Sequence, residues 1–477
     1  MFYKRILAVP QEPGKIIFSK RRENTYVSLE TDRTYLPKKQ YSVPKRVVIG
    51  KLVDPEDRTK MYPNEKFFEL FKQDPPEEHP VPKFMKVLVA MDSFKGSLSA
   101  YDAGNCVKVG VEQAGAALLP ESTLTCVNLP LADGGEGLID CLSAKLCAQG
   151  FERVTLDVHC ANLSAPKVRA TMLVRGKECI IESAQALGLP LIPVAERNIM
   201  QASSYGLGQM IAKALDLGCT DLKIGLGGSA TNDLGLGMVQ ALGVKFAGAS
   251  GTGGTPVTSV ESWREFTGLY DSALKARVAG CTVTLLSDVT NPLLGEHGAT
   301  YVFGGQKGAD TEQKARLEAA LSEGAALLTE HYGTDLTCAP GAGAAGGLGA
   351  ALMYFMGAKP ESGIDVVLKL LNFDAELKAA DLVITGEGNL DTQTLGGKGP
   401  MGVARRAQAQ GVPTIALCGG RDAHVDPTLL KEQGLCACFS IAPGPIDLKS
   451  CMEQGPALLT NAAYNVMATY LLGRRLA

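Results

Sequence analysis

The chain is poor in the residues that usually announce a chemistry. Histidine occurs five times in 477 residues, at His79, His159, His297, His331 and His424, and none of these pairs has the HExxH spacing of a zinc protease. No GxSxG elbow occurs, so no hydrolase nucleophile is signalled. No GxxxxGK[ST] occurs either; Lys398 is followed by Gly399, and Thr392 stands at the first glycine position. The 13 cysteines include no CxxC, since Cys436 and Cys438 have one residue between them. An odd number of cysteines, several within apolar runs, argues against a disulfide framework or metal cluster and for reduced thiols in a cytosolic protein. The opening "MFYKRILAVPQEPGK" lacks the apolar stretch of a signal peptide. No uninterrupted apolar run reaches membrane-spanning length. A net charge of −3 implies no general attraction to nucleic acid or lipid.

What is abundant is glycine. The 54 glycines gather at the ends of apolar runs, as in α/β enzymes with glycine-rich ligand loops. They are also unevenly shared. Residues 1–84 hold 2 of the 54 glycines but 10 of the 25 prolines, and 17 Lys/Arg against 12 Asp/Glu; the remainder holds 30 against 38. The chain therefore divides near Met85 into a basic extension and an acidic, glycine-rich body. "DPPEEHPVPKF", Asp74 to Phe84, reads as a stiff linker between them. Inside the extension "YVSLE" and "RVVIGKL" read as short strands and "NEKFFELF" as a short helix. With so little apolar surface to bury, a poorly ordered extension is expected over a folded nucleic-acid module.

The body alternates strands and helices. "KVLVAMD" is a strand, followed by a helix that Ser99 caps with Asp102 three residues on. Around Val154–His159, Val168–Val174 and Glu178–Ser183, three strand-like runs follow one another without a helix, which predicts an antiparallel or mixed patch. "DLKIGLG", "TVTLLSD", "DLVITGEG", "PTIALCGG" and "CACFSIA" are further strands. The fold class expected is α/β, built on parallel sheets.

In such sheets ligands bind beyond the carboxyl ends of the strands. Five strand ends carry acids there: Asp92 with Lys95 and Ser97; Asp133 and Glu136 around Gly134 and Gly135; Asp233 after Gly227, Gly228, Ser229, Thr231 and Asn232; Asp288 with Asn291; and Glu387 with Asp391. One such acid is usually a helix cap. Five, interleaved with glycines, suit phosphoryl transfer, which needs oxygen ligands for Mg²⁺, glycine turns that approach phosphate, a lysine and a base. Candidate roles follow. Asp391 is the first choice for a general base and Asp92 the second. Lys95 and Ser97 are candidates to hold phosphate or a substrate carboxylate. Gly134, Gly135, Gly227, Gly228 and Ser229 are candidates for phosphate-facing turns. Lys398 would neutralise phosphate, and Asp288 and Glu387 would hold Mg²⁺. The rival is a nicotinamide-dependent oxidoreductase: "GLGGSA" fits the dinucleotide fingerprint after a strand, but the acid expected about 20 residues on is missing. A non-catalytic nucleic-acid-binding fusion is a second rival, disfavoured because all five strand-end acids are present.

From Met85 onward the chain resembles the bacterial glycerate kinases of type 1. The resemblance rests on "MDSFKGSLSA", "PLADGGEG", "IGLGGSATNDLGLGMVQALG", "SDVTNPLLGEHGATYVFGGQKGA", "PGAGAAGGLGAAL" and "ADLVITGEGNLDTQTLGGKGPMGVA", six ordered blocks over almost the whole body. It implies a flavodoxin-like domain made of residues 85–150 and 365–477, with a second α/β domain, 151–364, inserted. It implies ATP-dependent phosphorylation of D-glycerate at the 2-hydroxyl, giving 2-phosphoglycerate, with Mg²⁺; a kinase of another small hydroxy acid is the near alternative. Asn389 stands where the family pattern has an arginine, which puts the affinity for substrate or phosphate in question. Residues 1–84 lie outside that family; part of them resembles the N-terminal segment of some bacterial transposases.

Overall fold

A computed structural model describes residues 7–11, 15–21, 24–36, 41–73, 84–119, 123–248, 259–391, 394, 399–422 and 425–476. The chain forms two compact units, residues 1–82 with 470–477, and residues 83–469. The proline-rich linker expected over Asp74–Phe84 lies, except for Phe84, outside the described residues.

The extension is folded, which corrects the expectation of a poorly ordered arm. Five strands form an antiparallel sheet in the order Leu7–Ala8, Lys60–Pro63, Tyr41–Leu52, Asn24–Leu36, Lys15–Arg21. The two long strands put Val27 and Leu29, two residues apart, and Ile49 and Leu52, three apart across the register irregularity opposite Val27 and Ser28, into one core with Met61, Phe67 and Phe68. The two phenylalanines come from the helix Glu65–Phe71, which Asn64 caps by accepting the Phe67 N–H. The apolar residues are few, but they are concentrated on one sheet face and one helix.

The 83–469 unit contains two large sheets. The first is wholly parallel, in the order Ala437–Ser440, Thr414–Arg421, Leu382–Leu390, Phe84–Met91, Thr123–Asn128. The strand Phe84–Met91, paired between Leu382–Leu390 and Thr123–Asn128, is buried on both faces from Val87 to Met91, which is why that stretch reads as a continuous apolar run rather than an alternating one. The crossover helix Ala100–Leu118 begins as expected, with Ser99 accepting the Asp102 N–H.

The second sheet runs Lys359–Glu361, Thr282–Leu286, Asp221–Gly225, Glu178–Glu182, Val168–Arg175, Glu152–Val158. Its last three strands form an antiparallel meander and the others pair in parallel. The mixed patch therefore lies where the three successive runs predicted it. The pattern did not reveal the pair Lys245–Ala247 and Gly268–Tyr270 or the edge strand Lys359–Glu361, each three residues long. Strands that short leave no periodicity to read. The body is α/β, as expected.

Candidate functional site

The parallel strands of the first sheet end at one edge, and that edge meets the strand ends of the second sheet. Gly134 and Gly135 pack against Gly225, Gly227 and the Leu286 carbonyl, while Gly363 packs against the Asp133 carbonyl. The approach is close enough that a Cβ at Gly227 would collide with Gly135 Cα, and one at Gly363 with the Asp133 oxygen. Glycine is required there for space, whatever its φ. The two glycine turns singled out in the sequence, 134–135 and 227–228, are thus brought together.

The acids form a row along this seam. Asp92 follows the strand Phe84–Met91, accepts the Ser93 N–H at 2.6 Å, and stands beside Gly399, the first residue of the helix Gly399–Ala409. Its carboxyl is pushed up to about 7, chiefly by burial, then by the negative charges of Asp133 and Glu387. Asp133 accepts the Gly135 N–H at 3.0 Å. Asp288 accepts the Gly363 N–H at 3.0 Å through Oδ1, and its carboxyl is raised by burial, with Asp133 adding to the effect. Its Oδ2 is buried and has no hydrogen-bond partner.

Glu387 accepts the Thr394 hydroxyl at 2.7 Å. Asp391 is tied to the same threonine: its carboxylate accepts the Thr394 N–H at 3.2 Å, and its own N–H donates to Thr394 Oγ1 at 3.1 Å. The first-choice base therefore holds a turn, while the second-choice base, Asp92, has the raised carboxyl in the acidic row.

Asp288 and Glu387, the two magnesium candidates, are not joined by any of these interactions. Asp288 neighbours Asp133, and Glu387 neighbours Asp92. Among the described residues no group of three or more His, Cys, Asp and Glu side chains is arranged to hold a metal. Mg²⁺ needs only one or two carboxylates beside phosphate and water, and the orphaned Asp288 Oδ2 is a fitting ligand atom. Lys398 lies outside the described residues.

A cleft of about 640 Å³ opens beside the row, lined by Ser93, Lys95, Gly96, Ser97, Glu136, Gly137, Arg169, Glu182 and Gln185, among others. Lys95 and Arg169 are exposed cations facing one space, the first from the loop after the strand Phe84–Met91, the second from the antiparallel meander. Ser97 lines the cleft too, but its hydroxyl donates to the Met452 carbonyl at 2.6 Å and its N–H to Phe94, so both its donors are engaged within the protein.

Three residues of this region were missed. Glu182 ends a strand, yet it was read as part of the β-rich patch. It accepts the Gly137 and Ile139 N–H groups at 3.0 and 2.9 Å, at the start of the helix Leu138–Cys147, and burial pushes it up to about 7. Arg169 is the second residue of its strand, Val168–Arg175, away from the carboxyl end where sites were sought. Lys307 lies in the quoted "FGGQKGA" block but follows a helix; it is 4 % exposed and bonds to Ser229 and Thr231.

The dinucleotide rival fails on geometry. After the strand Asp221–Gly225 the next helix is Leu236–Ala241, so no helix begins within "GLGGSA" to receive a pyrophosphate.

The relatives agree with the kinase reading. The family model described as "Glycerate kinase family" matches residues 87–471. The Escherichia coli K12 protein named glycerate 2-kinase is 37% identical over 400 residues, covering 82% of this chain and 99% of that protein. The Bacillus subtilis 168 glycerate kinase is 37% identical, again over 82% of this chain and 99% of its own length. A crystal structure named for glycerate kinase 2 of Salmonella typhimurium LT2 superposes with a TM-score of 0.66 at 37% identity, covering 82% of this chain and 99% of that one. With its strand-end acids, paired glycine turns and cationic cleft, and with these matches along nearly all of the body, the chain belongs to the glycerate kinase family and is a phosphotransferase.

Proposed function

We propose that this chain transfers the γ-phosphoryl group of ATP to the 2-hydroxyl of D-glycerate, giving 2-phosphoglycerate and ADP. The observation that carries the mechanism is Asp92, with its carboxyl raised to about 7 between Asp133 and Glu387 and beside a cleft lined by Lys95 and Arg169. A base poised near neutral pH is ionised in use yet still basic enough to accept a hydroxyl proton. In the step, the 2-oxygen of glycerate forms a bond to the γ-phosphorus as the bond to the β,γ-bridging oxygen breaks. The hydroxyl proton passes to Asp92, and ADP leaves with the electron pair of the broken bond.

Lys95 and Arg169 bind the glycerate carboxylate, with Arg169 suited to a two-pronged contact. Gly134, Gly135, Gly227 and Gly228 let the backbone come close to the phosphates. Asp391 fixes the turn that presents Thr394 to Glu387. Asp288, with Asp133 beside it, would hold Mg²⁺, which supplies charge neutralisation on the phosphates. We assign the first sheet to a flavodoxin-like domain of residues 85–150 and 365–477, and the second to an inserted domain of 151–364. The relative named glycerate 2-kinase supports the 2-position.

The test is ADP release coupled to a spectrophotometric readout, with D-glycerate compared with L-glycerate, glycolate and lactate. D-glycerate should have by far the highest kcat/KM. Equal or better turnover of another hydroxy acid would replace the substrate assignment, and no turnover of any would remove the mechanism.

A further inference from the structure

A second pocket, of about 350 Å³, is lined by Asn162, Arg197, Asn198, Lys307 and Ala230, the residue after the Gly227–Ser229 turn, among others. Lys307 is almost wholly buried, donates to the Thr231 carbonyl at 2.7 Å and reaches Ser229 Oγ at 3.4 Å. Among the described residues no carboxylate lies within ion-pair distance of it. The charge that favours its ammonium is Asp233, but that carboxylate is occupied by Ser204, Gly235 and Gly237. A buried ammonium bonded to neutral oxygens alone is costly unless a third partner arrives.

The rest of the lining also offers donors. Asn162 and Asn198 use their amide oxygens to accept the Ser164 and Met200 N–H groups, which leaves the NH₂ groups to donate. Arg197 spends Nε and Nη2 on the Ile192 and Leu189 carbonyls and keeps its charge without a carboxylate partner among the described residues. The acid in the lining, Glu196, is exposed.

We propose that this pocket is an oxyanion site that takes a phosphate group, with Lys307 as its neutralising cation. Lysine, guanidinium and two amides supply more donors than a carboxylate's two oxygens call for, and they suit the three oxygens of a phosphate. Two sources share that chemistry, a nucleotide's phosphate chain and a phosphorylated product. The choice of those two rests on the kinase reading; the anion site itself does not.

Calorimetry on the full chain decides it, with ADP, tripolyphosphate, inorganic phosphate, 2-phosphoglycerate and D-glycerate as probes. Lys307→Met keeps the apolar stem without the charge. Ser164→Glu places a negative charge at an exposed lining position without touching the buried network. A phosphate-bearing probe should bind the parent chain and lose at least about tenfold in affinity in each variant. Burial holds Lys307 down at about 8, so parent affinity should fall as pH rises through that value, and the fall should vanish in Lys307→Met. Strongest response to ADP and tripolyphosphate identifies the nucleotide; strongest response to 2-phosphoglycerate identifies the product. Equal binding by all three chains, no binding by any phosphate probe, or tighter variant-sensitive binding of D-glycerate overturns the proposal. If Lys307→Met does not fold, Ser164→Glu and the parent pH profile decide alone. The readout needs no turnover, so a chain that binds phosphate here but does not phosphorylate glycerate removes the glycerate assignment and leaves this one standing.

Discussion

Replacing Asp92 with asparagine separates catalysis from stability, because the two should move in opposite directions. The side chain keeps its shape and loses its basicity. Removing a positioned general base costs about 10²–10⁴ in rate, so kcat should fall by that much. Stability should rise. The carboxyl goes from an ordinary 3.8 to about 7 on folding, because burial and the Asp133 charge disfavour the ionised form. The folded chain therefore holds this proton more tightly than the unfolded chain does. Ionised Asp92 costs stability that appears as pH climbs from about 4 and is fully present above about 7. About three pK units at about 1.4 kcal/mol each set a ceiling on the order of 4 kcal/mol, and asparagine removes that cost. At pH 8 the variant should unfold at higher denaturant concentration than the parent, and at pH 4 the difference should shrink.

Activity has the complementary profile. The rate needs the ionised base, so log kcat/KM should climb with pH up to about 7 and flatten above it, and the climb should be absent in the variant. Steady-state kinetics from pH 5 to 9 and urea unfolding at pH 4 and 8 are the assays. A variant that turns over like the parent, or one that is less stable at pH 8, would refute the reasoning; Asp391 would then be the next base to test.

Three further outcomes follow from the geometry. Asp288→Asn weakens the ligand atom left without a partner, so half-maximal activity should need at least about tenfold more Mg²⁺, with the parent's Mg²⁺ requirement contradicting it. Gly363→Ala drives a methyl into the Asp133 carbonyl and should cost about 1–3 kcal/mol in urea unfolding; an unchanged midpoint would show that the seam can open. A chain beginning at Met85 should keep the parent's kcat, because the family match starts at residue 87, and a folded but inactive product would give the N-terminal unit a catalytic role.

Much of this was legible in the sequence, for identifiable reasons. "KVLVAMD" could be read because a strand buried on both faces needs a continuous apolar run. The acids at 92, 133, 288 and 387 could be read because parallel sheets gather their strand ends at one edge. The raised carboxyl on which we propose Asp92 ahead of Asp391 could not, since it comes from burial and partly from Asp133, 41 residues along the chain and beyond another strand's end. Lys307 and Arg169 escaped for the opposite reason: neither follows a strand, so a search along carboxyl edges passes over them. In the N-terminal unit, total apolar content suggested disorder, whereas Val27, Leu29, Ile49 and Leu52, gathered on one sheet face with the register irregularity at Ile49, were enough to assemble a small core with Met61, Phe67 and Phe68.

The central claim is that this chain phosphorylates the 2-hydroxyl of D-glycerate with ATP. Incubating the full chain with ATP, Mg²⁺ and D-glycerate, then following phosphorus and its coupling to the glycerate protons by NMR, reads the acceptor oxygen directly. The account predicts a phosphorus signal coupled to the single proton on C2, growing in step with ADP. A signal coupled instead to the two protons on C3, or ADP formed without any phosphoglycerate, would contradict it.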